Sequence, residues 1–199
     1  MNYLAHAYLS FNIPEITVGN LISDFVKGRK KLDYPVAIRR GIDLHRAIDT
    51  FTDNHEVTRR AKSFFKDAYG LYSGPLTDIV YDHFLANDPG IFPLMDGGLK
   101  VFSSTVYRHI ETCREALPEN FAHLFYYMRT QDWLSHYGEK QAIRNSFGGL
   151  ARRATYMPDP RRAGELFEIH YLELEACYRD FFPGLEEFAR HTLREGQMH

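Results

Sequence analysis

Cysteine is scarce in this sequence, which has only Cys113 and Cys177 among its 199 residues. The two lie far apart in helix-like segments and form no paired spacing, so we expect free thiols in the core and no cysteine metal site. No uninterrupted apolar stretch is long enough to cross a membrane, and the first residues carry no basic region ahead of an apolar one. We therefore expect no membrane contact and a cytoplasmic location.

Several common functional signatures are also absent. The formal net charge is only −2, which argues against a protein that binds nucleic acid. The sequence has no glycine-rich phosphate loop, no serine-elbow motif and no HExxH pair. No segment has an alternating pattern of β-branched residues that is stronger than the helical periodicity of its apolar residues. The predicted fold is therefore all-α.

Apolar residues make up 44% of the chain and aromatic residues 15%, which favours a globular fold. The length suits a single domain over residues 1–199, a bundle of about eight to ten helices. Asp33 and the pair Asp53 and Asn54 are candidate helix caps. Helices are predicted at 3–11, 15–27, 35–52, 99–116 and 162–182, with a loop at 88–98 and a final helix to about 194 that Pro183 and Gly184 separate off.

Residues 36–55 contain the most informative pattern. Ile38, Ile42, His45, Asp49 and Thr52 recur at steps of four, three, four and three, which places them along one stripe of a helix. The stripe begins apolar and ends polar. Burying an unpaired charge costs several kcal/mol, so something of opposite charge should compensate it. A divalent metal ion is one candidate, and a simple hydrogen-bonded pair of histidine and aspartate is the alternative.

Other helices carry similar inward-facing polar residues. Asp78 and Asp82 lie one turn apart in an apolar segment and His83 follows directly, while Asp24 lies one turn after Asn20. His6, in an apolar context near the start, is either a core residue or a ligand. We predict six metal ligands, and whether His6 and His83 bind the ion directly stays open. The predicted ligands are His6, Asp24, His45, Asp49, Asp78 and Asp82.

Carboxylate oxygens mixed with imidazole suit Mn²⁺, Mg²⁺ or Fe²⁺ better than a metal that prefers thiolates. Such an ion would acidify water and polarise a phosphoryl oxygen, and a nearby arginine would neutralise developing charge. The pattern therefore predicts metal-assisted hydrolysis of a phosphoester. The candidate catalytic residues are Asp24, His45, His83 and Arg46, with His45 or His83 protonating the leaving group.

Four segments of the first 90 residues resemble the acyl carrier protein phosphodiesterase family: MNYLAHAYLS (1–10), GNLISDFVKG (19–28), IRRGIDLHRAIDTFTDNH (38–55) and DIVYDHFLA (78–86). The resemblance implies an all-helical fold distantly related to the HD-type phosphohydrolases. It also implies a Mn²⁺-dependent enzyme of fatty acid and lipid metabolism that removes 4′-phosphopantetheine from holo acyl carrier protein. Because Asp82 and His83 occur in the order DH, ligand roles are not transferred from the HD type.

The first half of the chain has a basic side, although the whole chain is nearly neutral. Acyl carrier proteins present an acidic helix beside the modified serine, so we predict that this side docks the carrier; a solvated loop is the alternative. The predicted docking residues are Lys27, Arg29, Lys30, Lys31, Arg39 and Arg40.

Two further functions remain open at this stage, and the sequence does not fix the oligomeric state. One is a metal-dependent hydrolase of a nucleotide or another small phosphoester. The other is a helical binding module without enzymatic activity, whose acidic residues pair with Arg39, Arg46 and their neighbours. The second half of the chain is rich in aromatic residues such as Trp133 and Tyr137. Most should pack in the core, and some are candidates for a groove that holds a long, thin ligand.

Overall fold

The computed structural model of the protein describes residues 1–93 and 97–195. Over these residues the chain forms eleven α-helices and no β-strand. This confirms the all-α prediction, with one helix more than the upper expected number. The helices are α1 (Tyr3–Tyr8), α2 (Pro14–Ile22), α3 (Val36–Asn54), α4 (Glu56–Tyr69), α5 (Ser73–Ala86), α6 (Gly98–Thr112), α7 (Glu119–Thr130), α8 (Trp133–His136), α9 (Lys140–Arg153), α10 (Pro160–Ile169) and α11 (Tyr171–Glu195).

Buried apolar side chains from both halves of the chain form a shared hydrophobic core. Large aromatic side chains dominate it, and burying each one contributes roughly 1.5–3 kcal/mol. Most of the aromatic residues of the second half therefore pack, as expected. The largest fully buried aromatic side chains are Phe65, Tyr81, Phe121, Phe147, Phe167 and Phe181. None of the helices in the described residues is both long and apolar enough to span a membrane.

Helices α2 and α3 cross with their backbones in direct contact. A Cβ atom on Gly41 would lie 2.8 Å from the Cα of Gly19 and would clash with the carbonyl oxygen of Ile16. A Cβ atom on Gly19 would clash with the carbonyl oxygen of Ile38. Both positions therefore require glycine, and their close approach places the end of α2 beside the inward stripe of α3.

Replacing Gly41 by Ala should lower the free energy of unfolding by about 3 kcal/mol. This is the upper end of the range for overpacked cores, because the colliding atoms belong to the backbone and cannot rotate away. Urea unfolding measures the change. Gly184→Ala is the matched control, since a Cβ atom there meets nothing within 4 Å. That variant should be as stable as the wild type or gain up to about 1 kcal/mol of helix propensity. Equal stability of the two variants would contradict the close crossing.

Several helix boundaries differ from the predictions, among them the end of α1, which comes at Tyr8 and not at residue 11. Helix α11 runs through Pro183 without a break, although an internal proline costs a helix about 3 kcal/mol. The adjacent Phe182 and Leu185 are buried, and this packing outweighs the cost. The break comes earlier, at His170 between α10 and α11. Helices α2 and α6 end sooner than expected because short 3₁₀ turns follow them, at Ser23–Phe25 and Arg114–Ala116.

The predicted caps and the predicted loop need similar corrections. Helix α3 is preceded by Pro35 and has no side-chain cap, so Asp33 does not cap it. Helix α3 extends to Asn54, and His55 caps α4 by accepting a hydrogen bond from the N–H of Val57 (3.3 Å). Residues 94–96, the middle of the predicted loop, lie outside the described residues.

Candidate active site

Helices α1 and α3 and the 3₁₀ turn after α2 bring four of the predicted residues into one group. We call it the His–Asp cluster: His6, Asp24, His45 and Asp49. Asp49 lies between the two imidazoles, with its Oδ1 3.2 Å from His6 Nε2 and its Oδ2 3.1 Å from His45 Nε2. Asp24 Oδ1 lies 3.2 Å from His45 Nε2. The two rings are stacked, with their centroids 3.9 Å apart. Histidine Nε2 atoms and carboxylate oxygens therefore converge on one small volume.

Asn20 fixes both imidazole rings. Its amide group donates to the backbone oxygen of His6 (2.9 Å) and to Ser10 Oγ (3.0 Å), so its Oδ1 faces His6 Nδ1 at 2.8 Å. The backbone oxygen of Asn20 lies 2.7 Å from His45 Nδ1. Because both partners are acceptors, each neutral imidazole carries its proton on Nδ1 and presents a lone pair at Nε2. This is the arrangement that metal-binding histidines adopt in proteins.

The donor atoms of the His–Asp cluster fit a divalent cation. His6 Nε2 is buried and has no hydrogen-bond partner among the described residues. It faces a carboxylate oxygen of Asp49, so two acceptors point at each other unless positive charge lies between them. Atoms of His6, His45 and Asp49 all lie within 4.8 Å of one another. The Asp24 side chain is 74% exposed, so the cluster opens to solvent on that side.

Burial and neighbouring charges shift the pKa values of the cluster in opposite directions. Burial lowers the pKa of His6 to about 4, and the charge of His45 acts in the same direction. Burial also disfavours charge on His45, but hydrogen bonds with Asp24 and Asp49 outweigh it and raise its pKa to about 9. The hydrogen bond with His45 lowers the pKa of Asp24. Burial would raise the pKa of Asp49, yet the hydrogen bond with His45, the neighbouring His6 and the Met1 amine keep it well below its usual range. The two carboxylates are therefore ionised, which attracts a cation.

Asp78 lies beside the cluster. Its Oδ1 is 3.3 Å from the α-amino group of Met1, which is also 3.2 Å from Asp49 Oδ1. Burial disfavours the charged amine, but Asp78 and Asp49 outweigh this and raise its pKa to about 10. Burial also raises the pKa of Asp78. In this structure the amine thus separates Asp78 from Asp49.

Asp82 binds the first turn of α1. It accepts hydrogen bonds from the backbone N–H groups of Leu4 (2.7 Å) and Ala5 (3.2 Å), while the preceding Asn2 provides no side-chain cap. A carboxylate stabilises a helix N-terminus by satisfying such N–H groups. Burial raises the pKa of Asp82 to about 7, against the effect of these bonds. Both carboxylate oxygens are used, so Asp82 positions α1, and with it His6.

His83 lies outside the His–Asp cluster. Its Nδ1 is 2.8 Å from the backbone oxygen of Tyr137, and its Nε2 is 3.0 Å from the hydroxyl of Tyr171. Adjacent residues of a helix point about 100° apart. Because Asp82 faces α1, His83 faces the second half of the chain instead.

The predicted basic residues have different surroundings. Lys27, Arg29 and Lys30 are exposed in and beside the 3₁₀ turn at Gly28–Asp33. Lys27 and Lys30 share a cavity of about 450 Å³ with Asp24. Exposed positive charge therefore lies next to the open side of the cluster.

Three of the other four basic residues bind groups of the protein itself, and the fourth, Arg39, is half-buried. Lys31 pairs with Asp43 (2.6 Å). Arg40 donates to the backbone oxygen of Leu193 in α11 (2.9 Å). Arg46 donates to the backbone oxygen of Val26 (3.1 Å), which ties α3 to the segment after Asp24. In the described residues the acids of the cluster thus pair with histidines, and no arginine bridges them.

Comparison with known proteins identifies the family to which this chain belongs. A sequence model of one protein family, described as acyl carrier protein phosphodiesterase, matches residues 1–185. The chain belongs to the acyl carrier protein phosphodiesterase family. It is thus a member of a family of phosphodiester hydrolases.

Individual relatives in this family span the whole chain. A protein of Photorhabdus laumondii is 30% identical over 96% of this chain and 96% of its own length. Proteins of Salmonella paratyphi A and Salmonella agona are 31% identical over 97% of this chain and all of theirs. All three are named acyl carrier protein phosphodiesterase. No solved structure matches the chain, so the distant relation to HD-type phosphohydrolases stays a prediction.

Sequence reasoning missed Asn20 as a functional residue in this family member. Asn20 is fully buried and orients both histidines, although its own side chain is neutral. Its signal was an amide on the inward side of an apolar helix, one turn before Asp24. The contact of the Met1 amine with two carboxylates was also missed, because a main-chain amine leaves no pattern in a sequence.

Proposed function

We propose that this protein hydrolyses the phosphodiester of holo acyl carrier protein, releasing 4′-phosphopantetheine and the apo carrier. The observation that carries the proposal is the His–Asp cluster. It offers two imidazole Nε2 atoms and two ionised carboxylates, open to solvent, in the part of the chain that the family model matches. A phosphodiester is negatively charged, as are the carboxylates of the cluster. The cluster therefore needs a bound cation before it can bind a phosphodiester.

The proposed cofactor is Mn²⁺, with Mg²⁺ or Fe²⁺ as alternatives. His6, His45 and Asp49 would hold the ion, because their donor atoms converge and His6 Nε2 has no other partner in the described residues. Mixed imidazole and carboxylate donors suit these ions. When bound, the ion would supply positive charge that polarises a phosphoryl oxygen and acidifies water.

The residues around it have distinct tasks. Asn20 holds both imidazoles in the tautomer that presents Nε2. Asp24 is the most exposed member of the cluster, and we assign it the proton transfer. A water oxygen attacks phosphorus, the bond from phosphorus to the serine oxygen breaks, and Asp24 carries a proton from the water to that oxygen. The phosphate stays on the pantetheine.

Mass spectrometry tests this function directly. Incubating holo carrier with the protein and Mn²⁺ should reduce the carrier mass by that of the phosphopantetheine group. In oxygen-18 water the label should appear on 4′-phosphopantetheine. An unchanged carrier mass would disprove the function, and label on the carrier serine would disprove attack at phosphorus. A nucleotide or other small phosphoester hydrolysed in preference to the carrier would support the alternative substrate.

The exposed basic residues are the proposed docking surface for the carrier. Changing Arg29 and Lys30 together to Glu should raise KM for holo carrier about tenfold at low salt, which corresponds to about 1.4 kcal/mol. The rise should shrink at high salt, because exposed charges are screened over about 8–10 Å at physiological ionic strength. Hydrolysis of a small phosphodiester should not change.

In the matched control, two exposed arginines of α10, Arg161 and Arg162, are changed to Glu instead. Steady-state kinetics should show no change in KM for the carrier with this control. If both double variants raise KM equally, net charge rather than a docking surface explains the effect. If neither does, the turn at Gly28–Asp33 is only a solvated loop.

A further inference from the structure

A second cavity adjoins the start of α1 and has no role in the hydrolytic step. Its volume is about 400 Å³, and side chains from α1, α8 and α9 line it, among them Asn2, Tyr3, Trp133, Asn145, Ser146 and Arg153. Pockets for small molecules in proteins span about 300–1,000 Å³. The cavity is therefore large enough for a small ligand or for one arm of a larger one.

The cavity lies next to the His–Asp cluster. Tyr3 lines it and lies one turn before His6 on α1. Burial raises the pKa of the Tyr3 hydroxyl, Arg153 opposes this, and the charge of Asp24 acts on the same group. Tyr3 thus belongs to the cavity and lies on the same short helix as His6 of the cluster. A chain-like ligand in the cavity can therefore reach the cluster along α1.

Amide and hydroxyl groups dominate the polar lining. Gln131 Oε1 accepts a hydrogen bond from Trp133 Nε1 (2.9 Å), so its amide N–H groups remain for a ligand. Asn145 Oδ1 accepts from Gln141 (3.2 Å), which leaves its amide nitrogen. Ser146 Oγ donates to a backbone oxygen (2.9 Å) and keeps its lone pairs. These groups suit a ligand that contains secondary amides, while the Trp133 ring suits an apolar segment.

The lining of the cavity also carries positive charge. Arg152 and Arg153 are exposed, and neither pairs with a carboxylate in the described residues. An unpaired arginine beside a cavity is suited to phosphate, which it binds through two parallel hydrogen bonds. The lining thus combines amide, apolar and phosphate-binding groups.

We infer that this cavity binds the pantetheine arm of the substrate, with the phosphate directed toward Arg153 and the His–Asp cluster. The inference rests on the proposed function. The arm is a thin chain with two secondary amides, a gem-dimethyl group and a phosphate at one end, which matches the lining in kind. The basic turn after Asp24 would then bind the carrier while the cavity binds its prosthetic group.

Gly149 allows the cavity to be filled without harm to the fold. It lines the cavity, and a Cβ atom there meets only the Arg152 side chain, at 3.7 Å. Gly149→Leu therefore adds bulk inside the cavity and also favours the helix. Gly148→Leu is the matched control, because Gly148 neighbours the same Arg152 side chain at 3.7 Å but is not part of the lining.

The single tryptophan of the chain, Trp133, reports on occupancy. Titration with 4′-phosphopantetheine should change the tryptophan emission of the wild type and of Gly148→Leu in a saturable manner. Gly149→Leu should show no saturable change. In kinetics with holo carrier, Gly149→Leu should raise KM about tenfold or more, since binding energy from the non-reacting arm is lost. A small phosphodiester without the arm should be hydrolysed at the wild-type rate.

The outcomes separate this inference from the proposed function. No saturable emission change in the wild type, or the same titration curve in Gly149→Leu, would overturn the cavity assignment, even if holo carrier is hydrolysed. A titration as expected, together with intact holo carrier in the mass spectrum, would overturn the function and leave a pantetheine-binding cavity. Equal KM values for the two leucine variants would also count against the cavity.

Discussion

Replacing Asp49 by Asn should reduce kcat/KM by about 1,000-fold, the upper range for the loss of one charge-stabilising group in an active site. Asp49 contacts the Nε2 atoms of both imidazoles of the His–Asp cluster, one with each carboxylate oxygen. Asn keeps the shape of the side chain, but it removes the charge and places an amide N–H₂ group at one of the two imidazoles. The cluster then has a single ionised carboxylate, Asp24, to attract a cation.

Metal binding provides a second measurement for the same variant. An ion that binds only the folded state stabilises it by about 2.7 kcal/mol at 100 times its Kd. Each kcal/mol shifts Tm by about 2–4 °C for a chain of this size, so Mn²⁺ should raise the wild-type Tm by roughly 5–10 °C. Asp49→Asn should show little or no rise.

Asp43→Asn is the control for this experiment, because Asp43 lies on the same helix and is exposed. It pairs with Lys31 at the surface, and such exposed pairs contribute at most about 1 kcal/mol. Its activity and its response to Mn²⁺ should match the wild type. Full activity of Asp49→Asn would remove Asp49 from the site, and a normal Tm rise in that variant would remove it from the metal ligands.

The part of the site that could be predicted lies within single helices. His45 and Asp49 are four residues apart on α3, so helical periodicity alone brings their side chains together. His6 and Asp24 were singled out as inward-facing residues, but which helix they would face depends on how α1 and α2 pack. That packing depends on the close contact of α2 and α3 at Gly19 and Gly41. The periodicity of apolar residues in the sequence does not predict this contact.

The dependence on helix packing also explains why Asp82 and His83 lie outside the His–Asp cluster. The sequence predicts that Asp82 and His83 both face inward, yet adjacent helix positions point about 100° apart and cannot face the same partner. Asp82 contacts α1 and His83 contacts Tyr171. At Pro183 the local rule gave the wrong boundary, because tertiary burial of its neighbours outweighs the cost of a proline. Local rules therefore predicted elements and faces, while packing decided the partners.

His6 and His83 show most clearly the difference between a histidine of the His–Asp cluster and a histidine of the core. Both are almost completely buried, and both are candidates from the sequence. His6 Nε2 has no hydrogen-bond partner in the described residues and faces Asp49. Both nitrogens of His83 have partners, in Tyr137 and Tyr171. One histidine is thus available for chemistry, and the other is held by hydrogen bonds within the fold.

Replacing each by Gln should therefore have opposite effects on activity and stability. His6→Gln should lower kcat/KM roughly 100- to 1,000-fold and abolish the Tm rise with Mn²⁺, because the amide lacks the Nε2 lone pair. His83→Gln should leave kcat/KM within about twofold but lower the free energy of unfolding by about 1–3 kcal/mol, because a buried partner loses its hydrogen bond. Kinetics and urea unfolding on both variants measure the contrast. If His83→Gln is as stable as the wild type but inactive, His83 takes part in the reaction, and the site extends beyond the four residues of the His–Asp cluster.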